Sequence, residues 1–146
     1  KGSYLNVHYP DLETVAEIGA AQIRSFGISP VHAVSRPDAV KDRTYTSALA
    51  LRKWLIDTDR TNARLDIVSS GPHSRRSWML FKIALDGVAE IGVIATEPTG
   101  YDSSRWWTSS AGVRAMIGEL IAYAYAKFLF YPNPEKDLKT VYGEAS

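Results

Sequence analysis

The chain has 146 residues, and its 17 basic and 16 acidic residues leave a formal net charge of +1. This near balance argues against a nucleic-acid-binding protein, in which a clear excess of basic residues is expected. There is no cysteine, which excludes disulfides, thiolate metal ligands and cysteine nucleophiles. With 45% hydrophobic and 23% charged residues, the composition is typical of one globular domain.

The first residue is Lys1 rather than a methionine, and no signal-peptide pattern follows it. We therefore expect a trimmed or processed chain; any anchor or first strand upstream would lie outside this sequence. No apolar run approaches the ~20 residues of a membrane span, so none is predicted within the chain. Whether the protein is cytoplasmic or faces the cell envelope then depends on the residues upstream of Lys1.

Apolar residues at helical spacing predict four helices. These cover about residues 11–26, 45–56, 74–85 and 109–128. Short apolar runs predict buried strands at residues 28–34, 65–69 and 89–95. Thr44 is predicted to cap the second helix. The last helix is predicted to turn one apolar face inward, made of Val113, Ile117, Leu120, Ile121, Ala124 and Phe128.

Alternating strands and helices indicate an α/β fold with a mostly parallel sheet and helices on both faces. Three strands are few for four helices, which again suggests a first strand upstream. Residues 133–146 are polar, contain Pro134 and are predicted to form a loosely held tail.

Ligands of parallel sheets bind beyond the carboxyl ends of the strands, where residues 35–44, 70–74 and 96–105 are expected to meet. These loops hold cationic side chains that could bind negative charge and carboxylates that could orient those cations. They also hold hydroxyl groups and, at the centre, a histidine. The candidates are Asp42, Arg43, Thr44, Ser70, His73, Arg75, Arg76, Tyr101 and Asp102. His73 is also the candidate catalytic residue, as a base or as a hydrogen-bond donor.

Each loop also has a purely structural interpretation. Asp42 and Thr44 can simply cap a helix, and the arginines can pair with nearby carboxylates while His73 is tied to the backbone. The adjacent Trp106 and Trp107 can stack on a base or sugar, but more often such a pair attaches a loop to the core. Nucleotide-phosphate loops and a serine-hydrolase elbow are absent, and the three histidines have no metal-motif spacing, so no metal site is predicted.

The order of these motifs resembles one known family. Four segments carry this resemblance: residues 42–48 (DRTYTSA), residues 70–77 (SGPHSRRS), Tyr101-Asp102 before Trp106-Trp107, and the helix with Gly112-Val113-Arg114. Through them the chain resembles the YdcF/SanA/ElyC family of bacterial Rossmann-like proteins, a domain of unknown function. The resemblance covers about residues 2–132 and adds Ser47 and Gly71 to the candidate site. Ser47 stands where family members usually carry an asparagine, and the usual opening strand with its glycine-rich turn is missing.

The resemblance implies a three-layer Rossmann-like fold over residues 1–132, a pocket at the strand ends and a role in envelope biogenesis. For one branch it also implies S-adenosylmethionine as a bound cofactor. The expected function is therefore binding of a small anionic or nucleotide-like ligand. Two other functions remain open: an enzyme acting on a phosphorylated or lipid-linked envelope precursor with His73 as general base, and a non-catalytic module that docks a partner.

Overall fold

The structure, a computed structural model, describes residues 14–38 and 42–143. In chain order, its elements are α1 (Val15–Ser25), α2 (Arg43–Asp57), β1 (Ala63–Ser70), α3 (His73–Ala84), β2 (Ala89–Thr96), a 3₁₀-helix (Ser103–Thr108), α4 (Ser110–Phe128) and α5 (Pro134–Tyr142). The fold is mixed α/β, with two parallel strands in one open sheet and helices around it. Both strand predictions at residues 65–69 and 89–95 are confirmed.

The two strands pair in parallel, with Ala63 opposite Ala89 and Ser70 opposite Thr96. Their carboxyl ends therefore meet at one edge of the sheet, and α3 forms the crossover between them. Along β1 the side chains alternate between half-buried and exposed, and Val68 is 68% exposed. One face of β1 is therefore covered and the other is open.

The predicted strand at residues 28–34 is wrong, because this segment is irregular and mostly exposed. Pro30 has no N–H to donate to a strand ladder. The segment is held by a side chain instead: Arg24 Nη2 donates to the Val31 carbonyl at 2.6 Å. The short apolar run thus carries little information about pairing.

Helix starts follow the local capping chemistry. Thr14 and Glu17 form a reciprocal capping box at the start of α1, while predicted helical residues 11–13 lie outside the described residues. The predicted cap of α2 is wrong: Asp42, not Thr44, is the N-cap, and its Oδ1 accepts from the Thr44 and Tyr45 amides at 2.8 and 3.0 Å. Thr44 lies one residue inside the helix, which begins at Arg43.

The core lies between α2, α3 and the covered face of the sheet. One cluster is buried among α2, α3 and α4, and consists of Tyr45, Ala48, Leu49, Leu80, Ala84 and Ala126. A second lies between α2 and the sheet, and consists of Leu55, Leu85, Val88 and Ile91. Trp54 and Trp78 pack against the second cluster, but both stay partly exposed.

Helix α4 confirms the predicted span but not the predicted inner face. The large side chains assigned to that face are 49–67% exposed, namely Ile117, Leu120, Ile121 and Phe128. The helix is apolar almost all round, so periodicity could not distinguish the covered side from the open one. We call Ile117, Leu120, Ile121, Tyr125 and Phe128 the α4 outer face. Among the described residues, no helix is both long and apolar enough to cross a membrane.

The segment after Pro132 forms a docked helix rather than a loosely held tail. Asn133 caps α5 and Pro134 occupies its first turn. Asp137 is 8% exposed and accepts from the Tyr45 hydroxyl at 3.1 Å and from the Asn133 amide at 3.1 Å. Burial, together with the Asp137 charge, raises the pKa of Tyr45 well above its usual value. This buried hydrogen bond joins α5 to α2.

Candidate functional site

A groove of about 420 Å³ lies at the carboxyl end of β1, between the first turns of α2 and α3. Its walls come from Arg43, Thr44, Ser47, Ile67, Val68, Ser69, Ser70, His73, Ser77 and Phe81. We call it the strand-end groove. Five of the residues predicted from sequence meet here: Arg43, Thr44, Ser47, Ser70 and His73. The expectation that Thr44 and His73 lie at the same edge of the sheet is confirmed.

The turn from β1 into α3 forms one end of the groove. Gly71 has a φ of +48°, and its amide donates to the Thr96 carbonyl at 2.8 Å. A Cβ on Gly71 would lie 3.1 Å from Pro98 Cβ, so the turn packs closely on the loop after β2. The N-cap of α3 is Pro72, which offers no capping side chain. The start of α3 therefore lacks the side-chain acceptor that Asp42 supplies to α2.

Beside the groove, Arg76 joins three helices. Its Nη1 donates to Asp42 Oδ2 at 2.8 Å, and its Nε donates to Glu119 Oε2 at 2.9 Å. Its side chain is 11% exposed. The hydrogen bond to Glu119 is the main cause of a raised Arg76 pKa. We call Asp42, Arg76 and Glu119 the Arg76 clamp, because they connect the N-cap of α2 with α3 and α4.

Glu119 also contacts His73, whose Nδ1 lies 3.0 Å from Glu119 Oε1. Burial raises the pKa of Glu119, but the hydrogen bond and charge of Arg76, together with His73, outweigh it and leave that pKa lowered. An ionised carboxylate only accepts hydrogen bonds, so the contact assigns a proton to Nδ1 of His73. With a proton on Nδ1, Arg76 Nη2 cannot donate to that ring nitrogen, 3.0 Å away, and donates to Glu119 Oε1 at 3.2 Å. In the neutral form of His73, this tautomer has its lone pair on Nε2.

Sequence reasoning missed Glu119, which lies 43 residues after Arg76. One signal could have found it: Glu119 is the single acidic residue of the α4 sequence, SAGVRAMIGELIAYAYAKF. A carboxylate on an otherwise apolar helix needs a partner when it is buried. The adjacent Arg75 and Arg76, close to the end of a predicted strand, were the cations that could supply a partner for Glu119.

Other predicted residues lie away from the groove walls. The Arg75 guanidinium lies 5.2 Å from the centre of the Tyr123 ring. Asp102 Oδ1 caps the 3₁₀-helix by accepting from the Ser104 amide at 2.8 Å, and hydrogen bonds from Ser104 lower its pKa. The Tyr101 hydroxyl is buried and finds no hydrogen-bond partner among residues 14–38 and 42–143.

The tryptophan pair was predicted to attach its loop to the core, which holds in part. Trp106 is half-buried, whereas Trp107 is 61% exposed and meets Trp106 edge to face at 5.9 Å. The loop is attached through the backbone of Trp106 instead. A Cβ on Gly112, in the first turn of α4, would lie 2.9 Å from Trp106 Cα and closer still to its carbonyl oxygen. Only glycine permits this approach.

The side-chain charge at the groove is unfavourable for the dipoles of α2 and α3, whose N-termini are positive. The first turns of α2 and α3 contain no acidic residue, although acidic side chains are favoured there. They contain Arg43 and His73 instead. Arg43 is exposed and makes no ion pair within the described part of the chain. Among the described residues, Arg43 at the groove therefore has no carboxylate partner, whereas Arg76 is already neutralised by two carboxylates.

Within residues 14–38 and 42–143, no three His, Asp or Glu side chains are grouped to hold a metal ion. In comparisons with protein-family models, with curated proteins and with solved structures, nothing matches this chain. The geometry of the groove and the clamp is therefore the basis for any functional conclusion.

Proposed function

We propose that this protein binds a small anionic ligand, of the phosphate-ester or nucleotide class, in the strand-end groove. The observation that carries the proposal is the meeting of Arg43, which pairs with no carboxylate of the described residues, with five hydroxyl side chains and His73 in one groove. Phosphate oxygens are acceptors, and guanidinium and hydroxyl groups are the donors that they need. The uncapped start of α3 adds backbone amides at the same place.

The position of Arg43 supports a role beyond stability. A cation in the first turn of a helix is unfavourable by roughly 0.3–1 kcal/mol. No carboxylate among the described residues offsets this cost for Arg43, while Asp42 directly before it is engaged by Arg76. A bound anion would supply the missing negative charge and would interact favourably with both helix starts.

We further propose that the domain is a relative of the YdcF/SanA/ElyC family, with a three-layer Rossmann-like fold and an envelope-associated role. The support is the position of the two motifs that carry the resemblance, since residues 43–47 and 70–77 border the same groove. The open face of β1 leaves room for a further layer. In this proposal S-adenosylmethionine, whose carboxylate is its one anionic group, is a candidate for the larger, nucleotide-like ligand.

Isothermal titration calorimetry with inorganic phosphate, AMP and S-adenosylmethionine tests the proposal. We expect at least one of them to bind, and Arg43→Ala to weaken that binding about tenfold, which corresponds to ~1.4 kcal/mol. Arg75→Ala is the matched control, because Arg75 is an exposed arginine near the same edge that faces Tyr123. Absence of binding across the panel would favour the partner-docking module, and equal losses in both variants would point to a general charge effect.

A second candidate is an enzyme that uses His73 as general base on a phosphorylated or lipid-linked precursor. It is favoured by the contact of Glu119 with Nδ1, which leaves Nε2 free to accept a proton from water or a hydroxyl. Release of phosphate from a panel of phosphomonoesters, and of the alcohol leaving group from a panel of phosphodiesters, would test it. This candidate requires turnover that His73→Gln abolishes while phosphate affinity falls less than tenfold. Ligand binding without turnover would contradict the enzyme and support only the binding function.

A further inference from the structure

A second cavity borders the strand-end groove. It has a volume of about 550 Å³ and shares two wall residues with the groove, Arg43 and Ser47, which lie one turn apart on α2. Its other walls come from the start of α1, residues 14–16, and from residues 34–36 and 38 of the irregular segment after α1. We call it the α1 cavity. Because Arg43 and Ser47 belong to both, the two cavities are contiguous along the first turn of α2.

Two arginines line the α1 cavity, and both are exposed. Neither Arg36 nor Arg43 forms a salt bridge with a carboxylate of the described residues. The Arg36 guanidinium donates to the carbonyl of its neighbour Pro37 at 3.2 Å, which uses one of its five N–H donors. Asp38 is the acidic residue among the described walls, so these walls carry more positive than negative charge.

The hydroxyl hydrogens of the α1 cavity are already engaged within the chain. Ser35 Oγ donates to Thr14 Oγ1 at 2.9 Å, and Thr14 Oγ1 donates to Glu17 Oε2 at 3.0 Å. Ser47 Oγ donates to the Arg43 carbonyl at 3.0 Å. The guanidinium groups are therefore the side-chain donors that remain for a ligand in this cavity, and their charge favours an anion.

We infer that the strand-end groove and the α1 cavity together bind one elongated ligand with two anionic groups, of the diphosphate or polyphosphate class. Arg43 lies between the two groups, and Arg36 binds the second. This inference rests on the proposed function, because it extends the same site. A guanidinium group presents its donors as a planar fork, which lets Arg43 contact two anionic groups at the same time.

The charge balance distinguishes this ligand from one with a single phosphate. A single phosphate in the strand-end groove offsets the charge of Arg43 and leaves that of Arg36. Two like charges on the walls of one cavity repel each other, and a second anionic group placed between them is attracted to both. The volumes agree, since each cavity falls within the range of roughly 300–1,000 Å³ that is typical of small-molecule sites.

Isothermal titration calorimetry with inorganic phosphate, pyrophosphate and tripolyphosphate at constant ionic strength tests the inference. We expect the affinity to rise about tenfold from phosphate to the longer anions. Arg36→Ala should remove that gain and leave the affinity for phosphate within about twofold, which also shows that the variant is folded. Arg60→Ala is the matched control, because it removes an exposed arginine beyond the opposite end of α2.

The outcomes separate this inference from the proposed function. Phosphate binding without a gain for the longer anions would overturn the inference and leave the proposed function standing. Equal losses in Arg36→Ala and Arg60→Ala would also overturn it, because overall charge would then explain the affinity. No binding of phosphate, of AMP or of the longer anions would contradict the proposed function, and the inference with it.

Asp38→Asn provides a test with the opposite sign. It removes the negative charge from the α1 cavity, and Asp38 does not line the strand-end groove. The affinity for pyrophosphate and tripolyphosphate should therefore rise about threefold, while that for phosphate stays nearly constant. Weaker binding of the longer anions by this variant would contradict an anionic group in the α1 cavity.

Discussion

The Arg76 clamp and the strand-end groove lie side by side and are made from the same kinds of residues, but they differ in how charge is balanced. In the clamp, one arginine with an 11% exposed side chain meets two carboxylates at 2.8 and 2.9 Å. In the groove, Arg43 is exposed and meets no carboxylate of the described residues. The comparison separates charges that hold helices together from an exposed charge that the carboxylates of the described residues leave unpaired.

The largest expected effect is loss of the clamp. Arg76→Ala should lower the free energy of unfolding by about 3 kcal/mol, because it leaves Asp42 and Glu119 partly buried without their cation. The lower end of the range for buried pairs applies, since both carboxylates are 23% exposed. Urea denaturation measures the change. A loss below ~1 kcal/mol would contradict the distinction between clamp and groove.

Asp42 serves both as N-cap and as clamp, and two substitutions separate these roles. Asp42→Ala should cost about 2 kcal/mol, because it removes a cap worth ~1 kcal/mol and the ion pair as well. Asp42→Asn keeps an acceptor for the Thr44 and Tyr45 amides and loses only the charge. Denaturant midpoints of the two variants should therefore differ. Equal destabilisation would mean that the ion pair with Arg76 accounts for the whole effect.

The lowered pKa of Glu119 predicts a dependence of stability on pH. A carboxyl group with a lower pKa in the folded state stabilises the protein above its unfolded value, near 4.5. That contribution is lost as the pH falls through the folded pKa. Compared with Glu119→Gln, the wild-type advantage should be constant above about pH 5 and should shrink on acidification. Thermal unfolding at several pH values measures it, and an advantage that grows below pH 4.5 would be the wrong sign.

The smallest expected effect belongs to the groove. Arg43→Ala should change the free energy of unfolding by less than about 0.5 kcal/mol, or raise it slightly, because a cation is removed from a helix start. Salt should reduce any gain, since exposed charges are screened. Differential scanning calorimetry at low and high ionic strength measures both. A destabilisation like that of Arg76→Ala would make Arg43 structural.

The sequence predicted those parts of the fold whose patterns are local. The βαβ unit formed by β1, α3 and β2 combines short apolar runs with a helical period. Its predicted bounds agree with the observed bounds to within one or two residues. The segment at residues 28–34 has an apolar run without a partner strand, and pairing is a tertiary property that a run cannot specify. The buried Asp137 was likewise invisible, because its partner Tyr45 lies 92 residues away.

The candidate site was predictable where position along a strand or helix decides the matter. Thr44, Ser70 and His73 reach one groove because parallel strands end at the same edge. The roles of neighbouring arginines were not predictable, since Arg75 and Arg76 point to different partners from adjacent positions. Which of them is neutralised depends on Glu119, and this long-range contact has no local sequence signature.

The close approach of Gly112 to Trp106 has a mechanical consequence. Because α4 and the 3₁₀-helix touch through their backbones, neither can tilt without carrying the other. The 3₁₀-helix follows the loop that contacts Gly71 at the turn leading into α3. A larger residue at position 112 would therefore push the first turn of α4 away from the 3₁₀-helix and disturb the segment that leads back to the turn at Gly71.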